Sequence, residues 1–410
     1  MKPVMTKRIL SIVIAGLGVA LGAAAAQAPA PQRGQQTQTP PAAAPAAPKP
    51  AAPTATAKPY VPPKTPWGEP DLQGMWPLNH LITTNLVRNT RYGTRRLLTD
   101  QEYADAQRSA ASSTASMTGG AVPTADARTA SRLTSLISDP PDGQFPAFTP
   151  KGQELFEKLH GSYRPRRVDG QDIFDNLDDF DTWDRCITRG LPVSMLTRNY
   201  NVGIRVMQSP GYVVLILEMA HEARVIPTDG RPALDPTIRQ YMGESRGRWE
   251  GNTLVIETLN FNGKPAMTNA GIPGAPRLNP ASENQRIVEW LTRTGPDTIE
   301  YKMTIEDPTV LTRSWTVEFP WQLDEKYDMY EYACHEGNTA VRNYIETSRF
   351  ERANPSAVGA GRGGGARGAP GGGAPAGGTR GAGPGGGAPG GGARGGRGGG
   401  AGAPPAPGGN

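Results

Sequence analysis

Thr298-Ile299-Glu300-Tyr301-Lys302-Met303-Thr304-Ile305-Glu306 decides the fold class. Ile299, Tyr301, Met303 and Ile305 fall on one side of an extended backbone, and Thr298, Glu300, Lys302 and Thr304 on the other. That is the period-2 pattern of a strand with one buried and one wet face. Trp315, Val317 and Phe319 repeat it. Working outward, strand-like runs cover 202–208, 212–219, 223–226, 246–250, 253–259, 286–293, 298–306 and 313–319, with a further run at 329–334. Pro210-Gly211, Gly251-Asn252 and Gly295-Pro296-Asp297 stand between runs as tight-turn signals. Such turns join antiparallel neighbours rather than parallel crossovers, so the strands should meander in chain order. The run 213–217 is apolar on both faces, which predicts a central strand covered on both sides. Antiparallel sheets of this size close on themselves or fold over, because open edges invite aggregation. The expected fold is mainly β, an antiparallel barrel or a sandwich with a few short peripheral helices. Thr99 with Glu102 forms a capping box, Thr149-Pro150 an N-cap with proline at N1, and Asp235-Pro236 a third helix start.

The ends of the chain differ from this core. Lys2, Lys7 and Arg8, an apolar run over 9–21, and Ala24-Ala25-Ala26 before Gln27 have the order of an export signal covering 1–26. The apolar run is shorter than the roughly 20 residues of a spanning helix, and no later run is long enough to span. Residues 27–63 are rich in Pro and Ala, and 353–410 are almost wholly Gly, Ala, Pro and Arg. Neither segment has the side chains whose burial would offset ordering entropy, so a disordered linker and a disordered tail are expected around a globular unit over 64–352. The reading places the protein in the periplasm or outside the cell.

Charge follows the same division. The whole chain carries 43 basic and 38 acidic residues, but 11 of the basic ones and no acidic one lie outside 64–352. The core is therefore net acidic, which excludes a nucleic-acid partner that needs a basic face. Arg394-Gly395-Gly396 and Arg397-Gly398-Gly399 resemble an RGG segment but lack aromatic residues to stack on bases. A passive tail, or an electrostatic tether to an acidic envelope polymer, fits them better.

The chain has no G-x-S-x-G, P-loop, H-E-x-x-H or C-x-x-C motif in its core, and no cofactor or metal is implied. Two cysteines, Cys186 and Cys334, favour a disulfide in an exported chain, with buried thiols or reactive roles as the alternatives. Two His-Glu pairs stand at the ends of strand-like runs, His221-Glu222 and His335-Glu336. Histidine beside a carboxylate can act as general base or hold a polar ligand. Adjacent strand residues face opposite ways, however, so surface or structural roles compete with that reading. Asp178, Asp179, Asp181 and Asp184 crowd the approach to Cys186, and Arg185, Arg189, Arg198 and Arg205 follow. These arginines either pair with the aspartates or present a fork to an anion. Arg185, Arg205, His221 and His335 are the candidate ligand-binding residues.

The G-x-W of Gly74-Met75-Trp76 resembles the first strand of lipocalin-like proteins, which implies a calycin-type barrel. The blocks Thr65-Pro66-Trp67-Gly68-Glu69-Pro70-Asp71-Leu72-Gln73-Gly74, Asp184-Arg185-Cys186, Ser245-Arg246-Gly247-Arg248-Trp249-Glu250-Gly251 and Tyr330-Glu331-Tyr332-Ala333-Cys334-His335-Glu336-Gly337-Asn338 resemble a family of exported bacterial proteins of unassigned activity, common in acidobacteria and other soil bacteria. The resemblance implies one module with variable ends and carries over no catalytic residue. Three functional expectations stand: a β-barrel-like module that binds a small amphipathic or polar ligand, an envelope hydrolase or lyase using a His/carboxylate pair, and a structural envelope protein.

Overall fold

The computed structural model describes residues 60–118, 130–276 and 278–355. The export signal, most of the Pro/Ala-rich segment and most of the Gly/Arg tail, with its tether role, lie outside the described residues. Two antiparallel sheets dominate. One has four strands, β1 (Gly74–Met75), β5 (Ile204–Ser209), β6 (Tyr212–Leu217) and β7 (Ala223–Pro227), paired in that order. The other has six, in the order β2 (Ile137–Asp139), β12 (Trp315–Gln322), β11 (Thr298–Glu306), β10 (Arg286–Gly295), β9 (Thr253–Leu259) and β8 (Glu244–Glu250). β3 (Arg166–Val168) and β4 (Gln171–Ile173) form a separate hairpin. Each meander follows the chain, as the turn signals imply.

The two sheets fit a sandwich, and no closed barrel forms among the described residues. No ladder joins β7 to β8, and the segment between them turns its own donors to other loops, Thr228 N to Gly211 O and Gln240 N to Asn260 O. The calycin expectation is corrected accordingly. Trp76 of the G-x-W is fully buried, with its Nε1 donating to Leu72 O and the Arg293 guanidinium 5.7 Å from its ring centre. The inner faces interlock as one core, with Ile204, Val206, Leu215 and Ile226 on one side and Ile256, Leu291, Tyr301 and Phe319 on the other.

β6 is central in its sheet, but only Val213, Leu215 and Leu217 are fully buried, while Val214 and Ile216 on the outer face are half-covered. The expected covering on both sides is thus incomplete. Residues 329–334 form no strand. Tyr330 N donates to Glu218 Oε1 and Cys334 N to Tyr332 O, so these donors go to a carboxylate and a local turn instead of a ladder. Residues 235–238 make a single turn and not a helix, since Asp235 Oδ1 takes Thr237 N and Gln240 N turns to Asn260.

The capping box of Thr99 and Glu102 is present and opens α1 (Asp100–Thr118), and Thr149 caps α2 (Pro150–Lys158). A third helix, α3 (Ala340–Ala353), packs on the small hairpin. Ser348 Oγ accepts Phe174 N and donates to Asp172 O, and Tyr344 meets the rings of Phe174 and Phe180. No helix among the described residues is long and apolar enough to cross a membrane.

Candidate functional site

Six non-glycine residues among those described occupy the left-handed region: Asp169, Cys186, Asn201, Ala220, His221 and Asn260. Four of them, Cys186, Asn201, Ala220 and His221, fall in segments that meet at one end of the four-stranded sheet. Such backbone strain persists only where the surroundings enforce it, and it gathers at functional sites. The turn from β6 to β7 holds two consecutive cases, Ala220 at φ 64° and His221 at φ 51°. Leu217 N closes this turn on Glu222 O at 2.8 Å.

The two glutamates of the turn serve different neighbours. Glu218 takes four donors: Asn201 Nδ2 at 3.0 Å, Gly203 N at 2.9 Å, Tyr327 Oη at 2.8 Å and Tyr330 N at 3.1 Å. It joins the start of β5 to the strap that runs from Tyr327 to Asn338. Gly203 permits this approach, since a Cβ there would stand 2.6 Å from Met75 Cε and 2.9 Å from Glu218 Oε2. Glu222 turns inward and accepts from the hydroxyls of Thr188 and Ser194. Burial raises its carboxyl above the usual range, opposed by those hydroxyls and by Arg198 and Arg189.

His221 is exposed and lines an open groove of about 470 Å³ with Ile216, Leu217, Glu218, Met329, Tyr330 and Glu331. The left-handed turn thus separates His221 from its neighbour Glu222, and no ion pair joins them among the described residues. His335 and Glu336 are both exposed in the loop beyond Cys334. Arg205 is the direct cross-strand partner of groove residue Ile216 and lies 4.0 Å from Glu325. Arg185 is half-buried, and its Nε has no partner.

The disulfide expectation holds. Cys186 and Cys334 are bonded, with Cα atoms 5.7 Å apart, which brings the backbone beside Arg185 to the backbone beside His335. The aspartates and arginines before and after Cys186 do not neutralise one another. Asp179 pairs with Arg166, while Asp184 accepts Ser162 N at 2.8 Å, Ser162 Oγ at 2.6 Å and Asp181 N at 3.2 Å. Arg189 and Arg198 are buried and make no ion pair among the described residues. Around them stand Trp183, Tyr163, Tyr200 and Tyr332, a set of rings spread over more than 160 positions that sequence patterns do not connect. No group of three or more His, Cys, Asp or Glu among the described residues is placed to hold a metal ion.

Asp181 accepts Asp184 N at 2.7 Å, and burial together with the Asp184 charge pushes its carboxyl up to about 7. A carboxyl raised above its unfolded value makes the fold less stable as pH climbs from the unfolded value through the folded one. Asp181→Asn keeps an acceptor for Asp184 N and removes that cost. The variant should match the parent below about pH 4 and exceed it above about pH 7, by on the order of 1–3 kcal/mol. Urea midpoints measured from pH 4 to 9 check this; a pH-independent difference would show that Asp181 titrates normally. Comparison with family models, curated proteins and solved structures returns no match for this chain.

Proposed function

We propose that this protein is an exported β-sandwich module that binds a small amphipathic ligand in the groove between the β6–β7 turn and the Tyr327–Asn338 strap. The convergence of left-handed residues on that turn carries the reading. Ala220 and His221 hold a strained path whose effect is to place an imidazole at an apolar groove while Glu222 turns away. The volume of about 470 Å³ falls within the range of small-molecule sites, and Ile216, Met329 and Tyr330 offer apolar area beside His221 and Glu331. The disulfide supports an oxidising compartment, in keeping with the export signal. The separation of His221 from Glu222 argues for binding over acid–base chemistry by that pair.

Nile red, a neutral amphipathic fluorophore, provides the test. It should bind the purified protein with a blue-shifted emission, and Ile216→Asn with Tyr330→Ser should weaken that binding about ten-fold, since two apolar contacts of the groove are lost. Equal binding by the parent and a folded double variant, or no binding by the parent, would rule the groove out as a ligand site.

A further inference from the structure

Four arginines are almost completely buried, and they are of two kinds. Arg88 spends its guanidinium on Ser135 Oγ and on the carbonyls of Gly93, Pro141 and Ile137. Arg224 is neutralised by Glu289. Arg189 and Arg198, 2% and 1% exposed, have neither form of compensation in full. Arg189 gives Nη2 to Asn269 Oδ1 and Ala270 O and sets Nη1 against Met219 Sδ, which leaves Nε without a partner. Arg198 gives Nε to Asn201 O and Nη2 to Ser194 O, which leaves Nη1 without one. Arg185 Nε, four residues before Arg189, is unpartnered too, as is Nε of the ion-paired Arg224 and Arg246; what sets Arg189 and Arg198 apart is that no ion pair among the described residues meets their charge.

Buried polar groups in native proteins are almost always bonded and buried charges paired, so two guanidiniums that combine an unpartnered nitrogen with the lack of an ion pair call for an occupant. The carboxylates nearby act on the two arginines through space but are bonded elsewhere: four donors saturate Glu218, two hydroxyls hold Glu222, and Asp181 accepts Asp184 N. The flanking surfaces are aromatic. Arg189 lies 4.6 Å from the Trp183 ring centre, Trp183 is 5.6 Å from Tyr332, and Tyr332 is 6.3 Å from Tyr200 at an interplanar angle of 12°. Tyr200 remains 43% exposed, so this file of rings reaches solvent.

We infer that Arg189 and Arg198, with Arg185 beside them, hold the carboxylate of a small aromatic acid whose ring packs against Trp183, Tyr200 and Tyr332. Arg189 Nε offers one free N–H and Arg198 Nη1 two, enough to meet the two oxygens of a carboxylate. The inference rests on the binding reading above, in which the strap that walls the groove at Met329–Glu331 continues directly into Tyr332.

Benzoate and its neutral analogue benzamide test it, titrated calorimetrically into the full-length protein with Nile red binding measured in parallel. Benzoate should bind about ten-fold or more tightly than benzamide. Arg198→Met should lower benzoate affinity about 10- to 100-fold, the range for removing a charged hydrogen bond, and leave benzamide and Nile red unchanged. Should Arg198→Met fail to fold, Arg185→Gln removes a half-buried group that makes no bond. It should weaken benzoate about three-fold, as expected for a charge at the margin of a site. Equal affinity for benzoate and benzamide, or undiminished benzoate binding by a folded variant, overturns the inference. Nile red bound normally beside either result leaves the groove reading intact, whereas loss of Nile red binding by the parent removes both.

Discussion

Replacing Glu289 with alanine should cost about 3–5 kcal/mol of unfolding free energy, the range for stripping one partner from a buried ion pair. Glu289 on β10 is wholly buried and meets Arg224 of β7 across the sandwich, with Oε2 to Nη2 at 2.5 Å and Oε1 to Nη1 at 3.0 Å. Tyr301 Oη donates to the same carboxylate at 2.7 Å, and Arg224 Nη2 also reaches Ser245 Oγ and Thr258 Oγ1. Alanine at 289 leaves a guanidinium in the core with two hydroxyls and no countercharge. The Tyr301 hydroxyl loses its carboxylate at the same time.

The paired change to Arg224→Met with Glu289→Leu separates attraction from desolvation. Removing both charges and keeping the volume should bring stability back to within about 1–2 kcal/mol of the parent or above it, because the pair's attraction is largely offset by the desolvation of its members. Urea denaturation of the parent, both single variants and the double gives the coupling directly. A single-variant loss below about 1 kcal/mol would mean that water reaches the pair. A double variant as unstable as the single would mean that the pair specifies the alignment of the sheets beyond its charge.

The β elements were legible because alternation is a local property. Ile299 to Ile305 and Trp315 to Phe319 announce a buried face without reference to any partner strand. Closure is not local: whether β7 pairs with β8 depends on the path of residues 228–243 between them, and the sequence does not display that. The strap failed as a strand for a related reason, since Tyr330 N goes to a glutamate 112 positions away. α3 was missed because its buried contact is centred on Ser348, a polar residue that apolar periodicity does not register.

The candidate site was legible by chemistry and illegible by placement. Histidine with an adjacent glutamate draws attention at His221 and His335, yet the backbone at Ala220 and His221 decides that the first pair diverges. Arg189 and Arg198 stand among acidic neighbours in the sequence, which leaves both pairing with the aspartates and a fork for an anion open. Asp179 and Asp184 are claimed instead by Arg166 and Ser162, partners that no spacing rule selects. Only tertiary packing shows which of these charges form no ion pair.

Opening the Cys186–Cys334 bridge by a double change to serine should cost about 2–5 kcal/mol, because the bond closes a separation of 148 residues and removes that freedom from the unfolded chain. In a domain of this size that corresponds to a fall of about 5–15 °C in melting temperature. The loss should also be local in its effect on binding. Glu218 still holds the strap through Tyr327 and Tyr330, so the groove wall at Met329 stays in place while Tyr332, beyond the last of these bonds, is released from Trp183 and Tyr200. Nile red should therefore bind the serine variant nearly as well as the parent, whereas benzoate should bind about ten-fold more weakly, since one aromatic wall of its site is no longer held. Equal loss of both probes would mean that the bridge and Glu218 hold a single unit. An unchanged melting temperature would mean that strain in the folded state offsets the closure entropy, and that the bridge positions the strap without stabilising the domain.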